Sequence, residues 1–199
     1  MLGAIIPAAG ASVRMGRPKA LLLYRGKSFI QTIIDSARTL GARPIMIAIA
    51  QGESKVLSGI DLRDVVIAVN TNALSTGQIG SIRAGIAELR ESTVEGVIVW
   101  PVDQPHVSQT TVQALMDAFA ASRSAVVIPR FNGRRGHPVI FSRAVFRELL
   151  EIPTSEGARS VVRADPRRVL EIDVADPAVL EDIDTPEAYE ALVRRGSAL

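Results

Sequence analysis

The chain has 199 residues, of which 47% are hydrophobic and 22% charged, a length and composition typical of one well-buried globular domain. Its 23 basic and 21 acidic side chains leave a formal charge of +2, which is too small to favour a nucleic-acid partner. The chain has no cysteine, which excludes disulfides, thiolate metal sites and a cysteine nucleophile, and no apolar run reaches membrane-spanning length. We therefore expect a cytoplasmic protein with one domain over residues 1–199, and neither nucleic acid nor a membrane as partner.

Apolar strands and amphipathic helices are predicted to alternate along the chain. The apolar runs that suit strands buried on both faces of a mostly parallel sheet cover residues 2–6, 44–50, 65–69, 96–102 and 125–129. Helices are predicted from Ser28 to Gly41, with a capping box completed by Gln31, from about 78 to 90, from 108 to 121, from about 143 to 151, and after Thr185. This alternation predicts a doubly wound, three-layer α/β/α fold, in which ligands bind beyond the carboxyl ends of the strands.

The loop after the first strand, residues 7–19, combines small side chains with cations. Small residues let backbone N–H groups approach an anion closely, and Arg14 and Lys19 supply positive charge. The loop is not a P-loop, because no Gly-Lys-Ser/Thr is present, and the spacing of Gly10 and Gly16 does not fit a dinucleotide-binding loop. The pattern predicts a phosphate-binding loop. The alternative is an ordinary β–α turn with solvated cations.

Acidic residues in two distant segments are candidate cation ligands. Asp103 directly follows the apolar run 96–102, where a metal–phosphate group would lie in this architecture, and Mg²⁺ prefers one or two carboxylates together with phosphate oxygens. An extended backbone projects Asp182 and Asp184 to the same side, so that one of them would complete the site with Asp103. The alternatives are a turn cap for Asp103, and helix-dipole contacts for the other two aspartates.

These parts together suit the transfer of a nucleotidyl group from a nucleoside triphosphate to a phosphate monoester. Such an acceptor has a second pKa near 6 and is mostly dianionic at neutral pH, so no general base is required. Positioning and charge neutralisation would then supply most of the rate. The chain fits this chemistry, because His106 and His137 are its only histidines and no catalytic triad pattern is visible.

The loop at residues 8–19 resembles the signature loop of the molybdenum cofactor nucleotidyltransferases, the MobA/MocA-like family. Three further motifs match this family in order: Asp103-Gln104-Pro105, Gly136-His137-Pro138-Val139 and Asp182-Ile183-Asp184-Thr185-Pro186. The resemblance covers residues 2–195. It implies a glycosyltransferase-A-like, Rossmann-like nucleotidyltransferase fold. It also implies Mg²⁺-dependent transfer of a nucleotidyl group from an NTP to the phosphate of molybdopterin, with release of pyrophosphate.

The same resemblance implies roles for individual residues. Arg14, Lys19 and Asp103 would be catalytic, and Asp103 and Asp184 would hold the metal, with Asp182 as the rival of Asp184. The residues that would bind the nucleotide or the acceptor are Ala8, Ala9, Gly10, Ala11, Ser12, Arg14, Lys19, Gly77, Ser81 and His137. For Gly77 and Ser81 the alternative is a plain helix N-terminus. His137 would line the acceptor cavity, where an arginine would meet the anionic phosphate; the candidates are Arg134, Arg135 and Arg159. A solvated loop with exposed arginines is the alternative.

Ala8-Ala9-Gly10 is similar to the cytidylyl-transferring branch of the family, whereas the guanylyl branch usually has Ala-Gly-Gly. The extra Cβ at Ala9 narrows the floor under the base, so CTP is expected to be favoured over GTP. The chain departs from the family at Pro7, where leucine is usual, and over residues 70–74. A transient contact with a molybdenum hydroxylase would follow. Two alternatives stay open: a sugar phosphate or other small phosphate monoester as acceptor, and a non-catalytic chaperone that carries molybdenum cofactor.

Overall fold

The computed structural model describes residues 1–10, 12–90 and 92–196. Its strands are β1 Leu2–Pro7, β2 Leu23–Tyr24, β3 Lys27–Ser28, β4 Ile45–Ala50, β5 Val65–Asn70, β6 Gly96–Val99, β7 Val126–Phe131, β8 Arg134–Arg135, β9 Val139–Ser142 and β10 Val169–Asp173. Its α-helices are α1 Phe29–Thr39, α2 Ala73–Ala87, α3 Gln109–Ala121, α4 Phe146–Glu151, α5 Ala158–Ala164 and α6 Pro186–Gly196. Within these described ranges, every helix is too short or too polar to cross a membrane.

The main sheet has the strand order β10-β7-β9-β6-β1-β4-β5, with β8 paired to β7. β1, β4, β5 and β6 are parallel, as are β7 and β10, while β9 runs antiparallel between β6 and β7. After β1 the chain builds the sheet outward through β4 and β5, and then returns to place β6 on the other side of β1. Strand order therefore reverses between β1 and β6, where doubly wound sheets bind their ligands.

Helices cover both faces of the sheet, and the strands alternate their side chains between the two layers. Along β1, Ala4 and Ile6 pack into the cluster formed with α1, α3 and α6, whereas Ile5 packs into the cluster formed with α2, α4 and α5. β4 and β6 alternate in the same way, as a period of two residues requires. This confirms the predicted three-layer α/β/α arrangement with a mostly parallel sheet.

Three details differ from the sequence-based expectations. β5 lies at the sheet edge, so Val66 and Val69 are 37% and 47% exposed rather than buried on both faces. Ser28 caps α1 by accepting from the backbone N–H of Gln31, but the Gln31 side chain donates to Asp35 instead of completing a capping box. The short polar segment around β8 and the antiparallel β9 were not expected.

α2 also begins earlier than expected and is broken by Gly77, whose φ of 55° lies in the left-handed region that favours glycine. The break separates a first turn, 73–76, from the regular helix that follows it. The sequence therefore predicts the regular part of α2 correctly but not the turn ahead of it. That turn reaches the carboxyl edge of the sheet, beside the loop that follows β1.

Candidate functional site

The loop after β1 lines a cavity of about 430 Å³ at the reversal point of the strand order. We call it the first cavity. A hydrogen bond from the backbone N–H of Val102 to the carbonyl of Pro7 joins the loop after β6 to the loop after β1, at 3.4 Å. The Ser12 hydroxyl accepts from the backbone N–H of Lys19 at 3.0 Å, and this bond links two positions within the loop after β1. The cavity walls include Ala8, Ala9, Gly10, Ser12, Arg14, Lys19, Gly77, Ser81, Asp103 and Asp184.

Lys19 joins the two predicted metal ligands on the wall of this cavity. Its Nζ donates to Asp103 Oδ2 at 3.1 Å and also to Asp184 Oδ1. Arg14 donates to the other carboxylate oxygen of Asp184 at 2.5 Å. The side chains of Lys19, Asp103 and Asp184 are only 17–26% exposed, so solvent and salt screen their charges less than those of surface ion pairs. Residues that lie 84 and 165 positions from Lys19 in sequence thus meet at one cation.

Burial and charge act on this cluster in opposite directions. Burial raises the pKa of Asp103, and the charge and hydrogen bond of Lys19 offset it only in part. Burial would raise the pKa of Asp184 as well, but Lys19 and Arg14 outweigh it and lower the pKa. Burial lowers the pKa of Lys19, and its bonds to Asp184 and Asp103 overcome that effect and raise it. The charge of Lys19 therefore offsets the burial of the two carboxylates. An anion or a metal ion that bound here would change the pKa values of all three groups.

Asp182 does not share the position of Asp184. It is absent from the wall of the first cavity, and its Oδ1 accepts from the side-chain amide of Gln104 at 2.8 Å. Its charge still acts on Asp103, whose pKa it contributes to raising, and on His137, where it opposes the lowering effect of burial. Of the two aspartates, Asp184 therefore lies on the wall of the first cavity together with Asp103, and Asp182 does not.

Asn70, which the sequence reading did not single out, organises the start of α2. Its side chain is buried and accepts from the backbone N–H of Asn72 and the hydroxyl of Thr76, each at 3.2 Å. It also donates to the Gly77 carbonyl at 3.5 Å and to Ser81 Oγ at 3.4 Å. Gly77 and Ser81 consequently reach the wall of the first cavity. The only sequence signal for Asn70 is a polar residue at the end of an apolar strand.

A second cavity of about 480 Å³ adjoins the first, and Gln78 lines both. His137 lies in this second cavity and not in the first. Burial lowers the pKa of His137, so the imidazole is neutral at pH 7. Arg159 and Arg163 also line the second cavity, and within the described part of the chain neither forms an ion pair.

The other predicted acceptor-side arginines are placed differently. Arg135 lines the second cavity, but its guanidinium donates to Glu171 at 2.8 and 2.5 Å. Arg134 lies in β8, outside both cavity walls. Ala11 lies outside the described residues. Apart from Asp182, all the other residues predicted to bind nucleotide or metal lie on the first cavity, and His137 lies on the second.

The three-layer α/β/α architecture with its mostly parallel sheet is the Rossmann-like fold found in solved nucleotidyltransferase structures. The chain belongs to the MobA-like NTP transferase domain family, which matches residues 4–169. The predicted resemblance to this family is thereby confirmed.

Two curated relatives and one solved protein are similar to this chain over most of its length. The chain is 32% identical over 197 residues to nicotine blue oxidoreductase of Paenarthrobacter nicotinovorans, covering 95% of each chain. It is 23% identical over 185 residues to the molybdenum cofactor cytidylyltransferase of Escherichia coli K12, covering 93% of this chain and 92% of the relative. Rv0371c of Mycobacterium tuberculosis H37Rv superposes with a TM-score of 0.82 at 28% identity, covering 97% of each chain. A second structure of Rv0371c is a complex with manganese; its TM-score is 0.78 at 27% identity, covering 97% of this chain and 98% of that one.

Proposed function

We propose that this chain, acting as one nucleotidyltransferase domain over residues 1–199, transfers CMP from CTP to the phosphate of molybdopterin in a Mg²⁺-dependent reaction in the cytoplasm. The observation that carries the proposal is the meeting of Lys19 with Asp103 at 3.1 Å and with Asp184, on the wall of a cavity that the Gly10 loop also lines. A polyphosphate and a divalent cation need this combination of cations, open backbone and hard oxygen ligands.

The Gly10 loop and its cations form the triphosphate site in this proposal. A Cβ built at Gly10 meets no atom of the described residues within 4 Å, so the space above this residue is open to a ligand. Lys19 and Arg14 hold Asp184 in the structure and would exchange part of that contact for phosphate oxygens. The two cations would then stabilise the negative charge that develops on the leaving pyrophosphate.

The donor set at this site suits Mg²⁺. Asp103 and Asp184 supply two carboxylates that point at the same Lys19 ammonium, and within the described residues no third acid or histidine completes an all-protein cage. Mg²⁺ characteristically takes one or two carboxylates and fills its other positions with water and substrate phosphates. When bound, the ion supplies charge neutralisation at the phosphate oxygens. The manganese complex of Rv0371c supports a divalent cation site in this family.

In the proposed reaction an oxygen of the acceptor phosphate attacks the α-phosphorus of CTP. The new P–O bond forms as the bond to the β-phosphate oxygen breaks, and pyrophosphate leaves. The acceptor is already dianionic, so the chain need not remove a proton. The work left to the protein is to hold the two phosphates in line and to neutralise their charge, which the cluster around Lys19 and the loop at Gly10 are built to do.

The second cavity is the proposed acceptor site, because it adjoins the first at Gln78. The guanidinium groups of Arg159 and Arg163, which form no ion pair with any described residue, would take the acceptor's anionic group. Neutral His137 would offer one donor and one acceptor to a polar ring. Ala9 lines the first cavity, where its Cβ would narrow the space under the base and so favour CTP over GTP.

A panel of CTP, GTP, ATP and UTP against molybdopterin and against sugar phosphates, with pyrophosphate release as readout, tests the proposal. We expect Mg²⁺-dependent release with CTP and molybdopterin only. Turnover with a sugar phosphate instead of molybdopterin would change the identity of the acceptor and leave the proposed nucleotide site unchanged. Calorimetric CTP binding that is indifferent to Mg²⁺ and to Asp103→Ala would favour the non-catalytic chaperone. Delivery of product to a molybdenum hydroxylase would be tested by adding the apoenzyme.

The 32% identity to nicotine blue oxidoreductase supports one second candidate function, an oxidoreductase acting on a dye of that kind. Bleaching of nicotine blue in the presence of a reduced nicotinamide cofactor would reveal it. Asp103→Asn separates the two functions, because hydride transfer has no need of a carboxylate pair and nucleotidyl transfer depends on it. Dye reduction that survives Asp103→Asn, together with no pyrophosphate release by the unmodified chain, would replace the first proposal.

A further inference from the structure

The segment that carries Asp184 is attached to the loop after β6 by a buried amide. Gln104 is 1% exposed, and its Nε2 donates to Asp182 Oδ1 at 2.8 Å and to the Val179 carbonyl at 3.5 Å. Both partners are acceptors, so only the NH₂ end of the amide fits toward them. Gln104 Oε1 is buried and has no hydrogen-bond partner among the described residues. The orientation of this amide is therefore set by the segment it holds.

The position of Gln104 is itself fixed by the core. Trp100 is fully buried, and its Nε1 donates to the Gln104 carbonyl at 3.0 Å. On the other side, the backbone N–H of Ile183 donates to the carbonyl of Asp103 at 3.0 Å. Residues 103–104 and 182–183 thus form two adjacent cross-links, and Asp184 is the next residue along the chain.

We propose that Gln104 is a positioning residue that holds Asp182, and through it the segment ending at Asp184, so that Asp184 meets Lys19 beside Asp103. We call the contacts of Gln104 with Asp182 and Val179 the Gln104 clamp. This inference rests on the proposed function, because it assigns Asp184 to the metal and phosphate site. Gln104 itself lines neither cavity and is not a catalytic residue.

The clamp also reaches the second cavity. The carbonyl of Val179 accepts from the backbone N–H of His137 at 2.9 Å, and a Cβ at Gly136 would lie 2.2 Å from the same carbonyl oxygen. Gly136 is therefore required for the close approach of the two segments. Through Val179 and Asp182, one segment is held against the walls of both cavities.

Asp182 gives the sharpest test, because it is exposed and its substitution does not open the core. Asp182→Asn keeps an oxygen that accepts from Gln104, whereas Asp182→Ala removes it. We expect Asp182→Ala to speed amide hydrogen exchange at Ile183, to weaken Mn²⁺ binding followed by electron paramagnetic resonance, and to lower kcat, the last two about 10- to 100-fold. For Asp182→Asn, the Mn²⁺ affinity and kcat should both remain within about threefold of the unmodified chain. The KM for CTP should change little, since the Gly10 loop is untouched.

Polarity reversal tests the pair directly. Gln104→Glu places a carboxylate against Asp182 and Val179 and should match or exceed the losses of Asp182→Ala. In the double variant Gln104→Glu/Asp182→Asn the amide and the carboxylate exchange places, so Mn²⁺ affinity and kcat should recover by at least about tenfold over Gln104→Glu. Gln113→Glu is the matched control: Gln113 also donates to an aspartate, Asp117, at 2.8 Å, but on the exposed side of α3. It should change nothing.

Unchanged exchange at Ile183 in Asp182→Ala would overturn the clamp, as would faster exchange with unaltered Mn²⁺ affinity, or a double variant no better than Gln104→Glu. If Gln104→Glu does not fold, the two substitutions at Asp182 decide the matter alone. If the unmodified chain releases no pyrophosphate with any nucleotide and acceptor, the proposed function fails. Amide hydrogen exchange at Ile183 and the Mn²⁺ affinity of the variants then still test the Gln104 clamp.

Discussion

Lys19→Met removes the ammonium group that joins the two carboxylates and keeps an unbranched stem that reaches as far as the lysine Cε. In the structure this group donates to Asp103 at 3.1 Å and to Asp184, and the Lys19 side chain is 17% exposed. The substitution leaves Asp103 with no cation at hydrogen-bond distance among the described residues. Asp184 keeps Arg14 at 2.5 Å. We expect a large loss of activity with a moderate loss of stability.

The loss of stability can be bracketed from the burial of the pair. Removing one partner of a fully buried ion pair costs about 3–5 kcal/mol, whereas exposed pairs contribute about 0–1 kcal/mol. Asp103 and Asp184 are 22% and 26% exposed, between these limits, and Arg14 still compensates one of them. We therefore expect the free energy of unfolding to fall by about 1–3 kcal/mol, which lowers Tm by roughly 2–12 °C in a chain of this size.

The loss of activity is expected because the ammonium group of Lys19 would stabilise the negative charge on the leaving pyrophosphate. Removing one such donor in a preorganised site costs about 10²–10³ in kcat. Pyrophosphate release under saturating CTP and Mg²⁺ measures this, at a temperature where the variant is folded. Lys27→Met is the matched control, because Lys27 also pairs with an aspartate, Asp35 at 2.5 Å, but is 59% exposed and lines neither cavity. A Lys19→Met enzyme within about twofold of the control would refute the reasoning.

Three further predictions concern the same site and its surroundings. Gly10→Ala should leave the free energy of unfolding within about 0.5 kcal/mol, because its Cβ meets no described atom within 4 Å. Its KM for CTP should nevertheless rise about tenfold through overpacking of the ligand; an unchanged KM would place the triphosphate elsewhere. Asp103→Asn and Asp184→Asn should both abolish turnover. In thermal unfolding at pH 7 Asp184→Asn should lose more stability than Asp103→Asn, since burial raises the pKa of Asp103 while Lys19 and Arg14 outweigh burial and lower that of Asp184; the reverse order would contradict this. Burial lowers the pKa of His106 from 6.5, so the unfolded chain binds the proton more readily and stability should fall as pH drops below 6.5. His106→Gln should reduce the dependence of Tm on pH, with His137, whose pKa burial also lowers, accounting for a remainder; an equally steep profile would show that His106 does not contribute.

The alternating apolar runs were enough to predict the layers of the fold, because strands buried between helices show nearly continuous hydrophobic sequence. β5 was predicted at the right place but with the wrong burial, since nothing in its residues distinguishes an edge strand from a central one. β9 was missed because its run, Val139–Ser142, is only four residues long and follows a turn of glycine, histidine and proline. Its antiparallel direction depends on which neighbours are free, which is a property of the whole sheet.

The candidate site was predictable where chemistry and spacing coincide and unpredictable where only the fold decides. Arg14, Lys19 and Asp103 carry charge in sequence contexts that parallel sheets bring together, and the structure brings them to one cavity. The choice between Asp182 and Asp184 lay beyond sequence reasoning, because an extended backbone sends both to the same side. In the structure the buried amide of Gln104 donates to Asp182 at 2.8 Å, and Asp184 instead accepts from Lys19.

The separation of the two cavities bears on how members of one family act on different compounds. The walls that would hold the triphosphate come from the loop after β1 and from the start of α2, which Asn70 fixes. The second cavity is lined by β9 and the segment before it, by α5 and the residues ahead of it, and also by residues of α2, β6, β7 and β8; among the described residues, Gln78 alone lines both cavities. Substitutions in α5 can therefore alter the second cavity without moving Lys19 or Asp103. In the proposed function a change of acceptor would therefore alter the second cavity and leave the first unchanged, and the chain resembles relatives named as an oxidoreductase, at 32% identity, and as a cytidylyltransferase, at 23% identity.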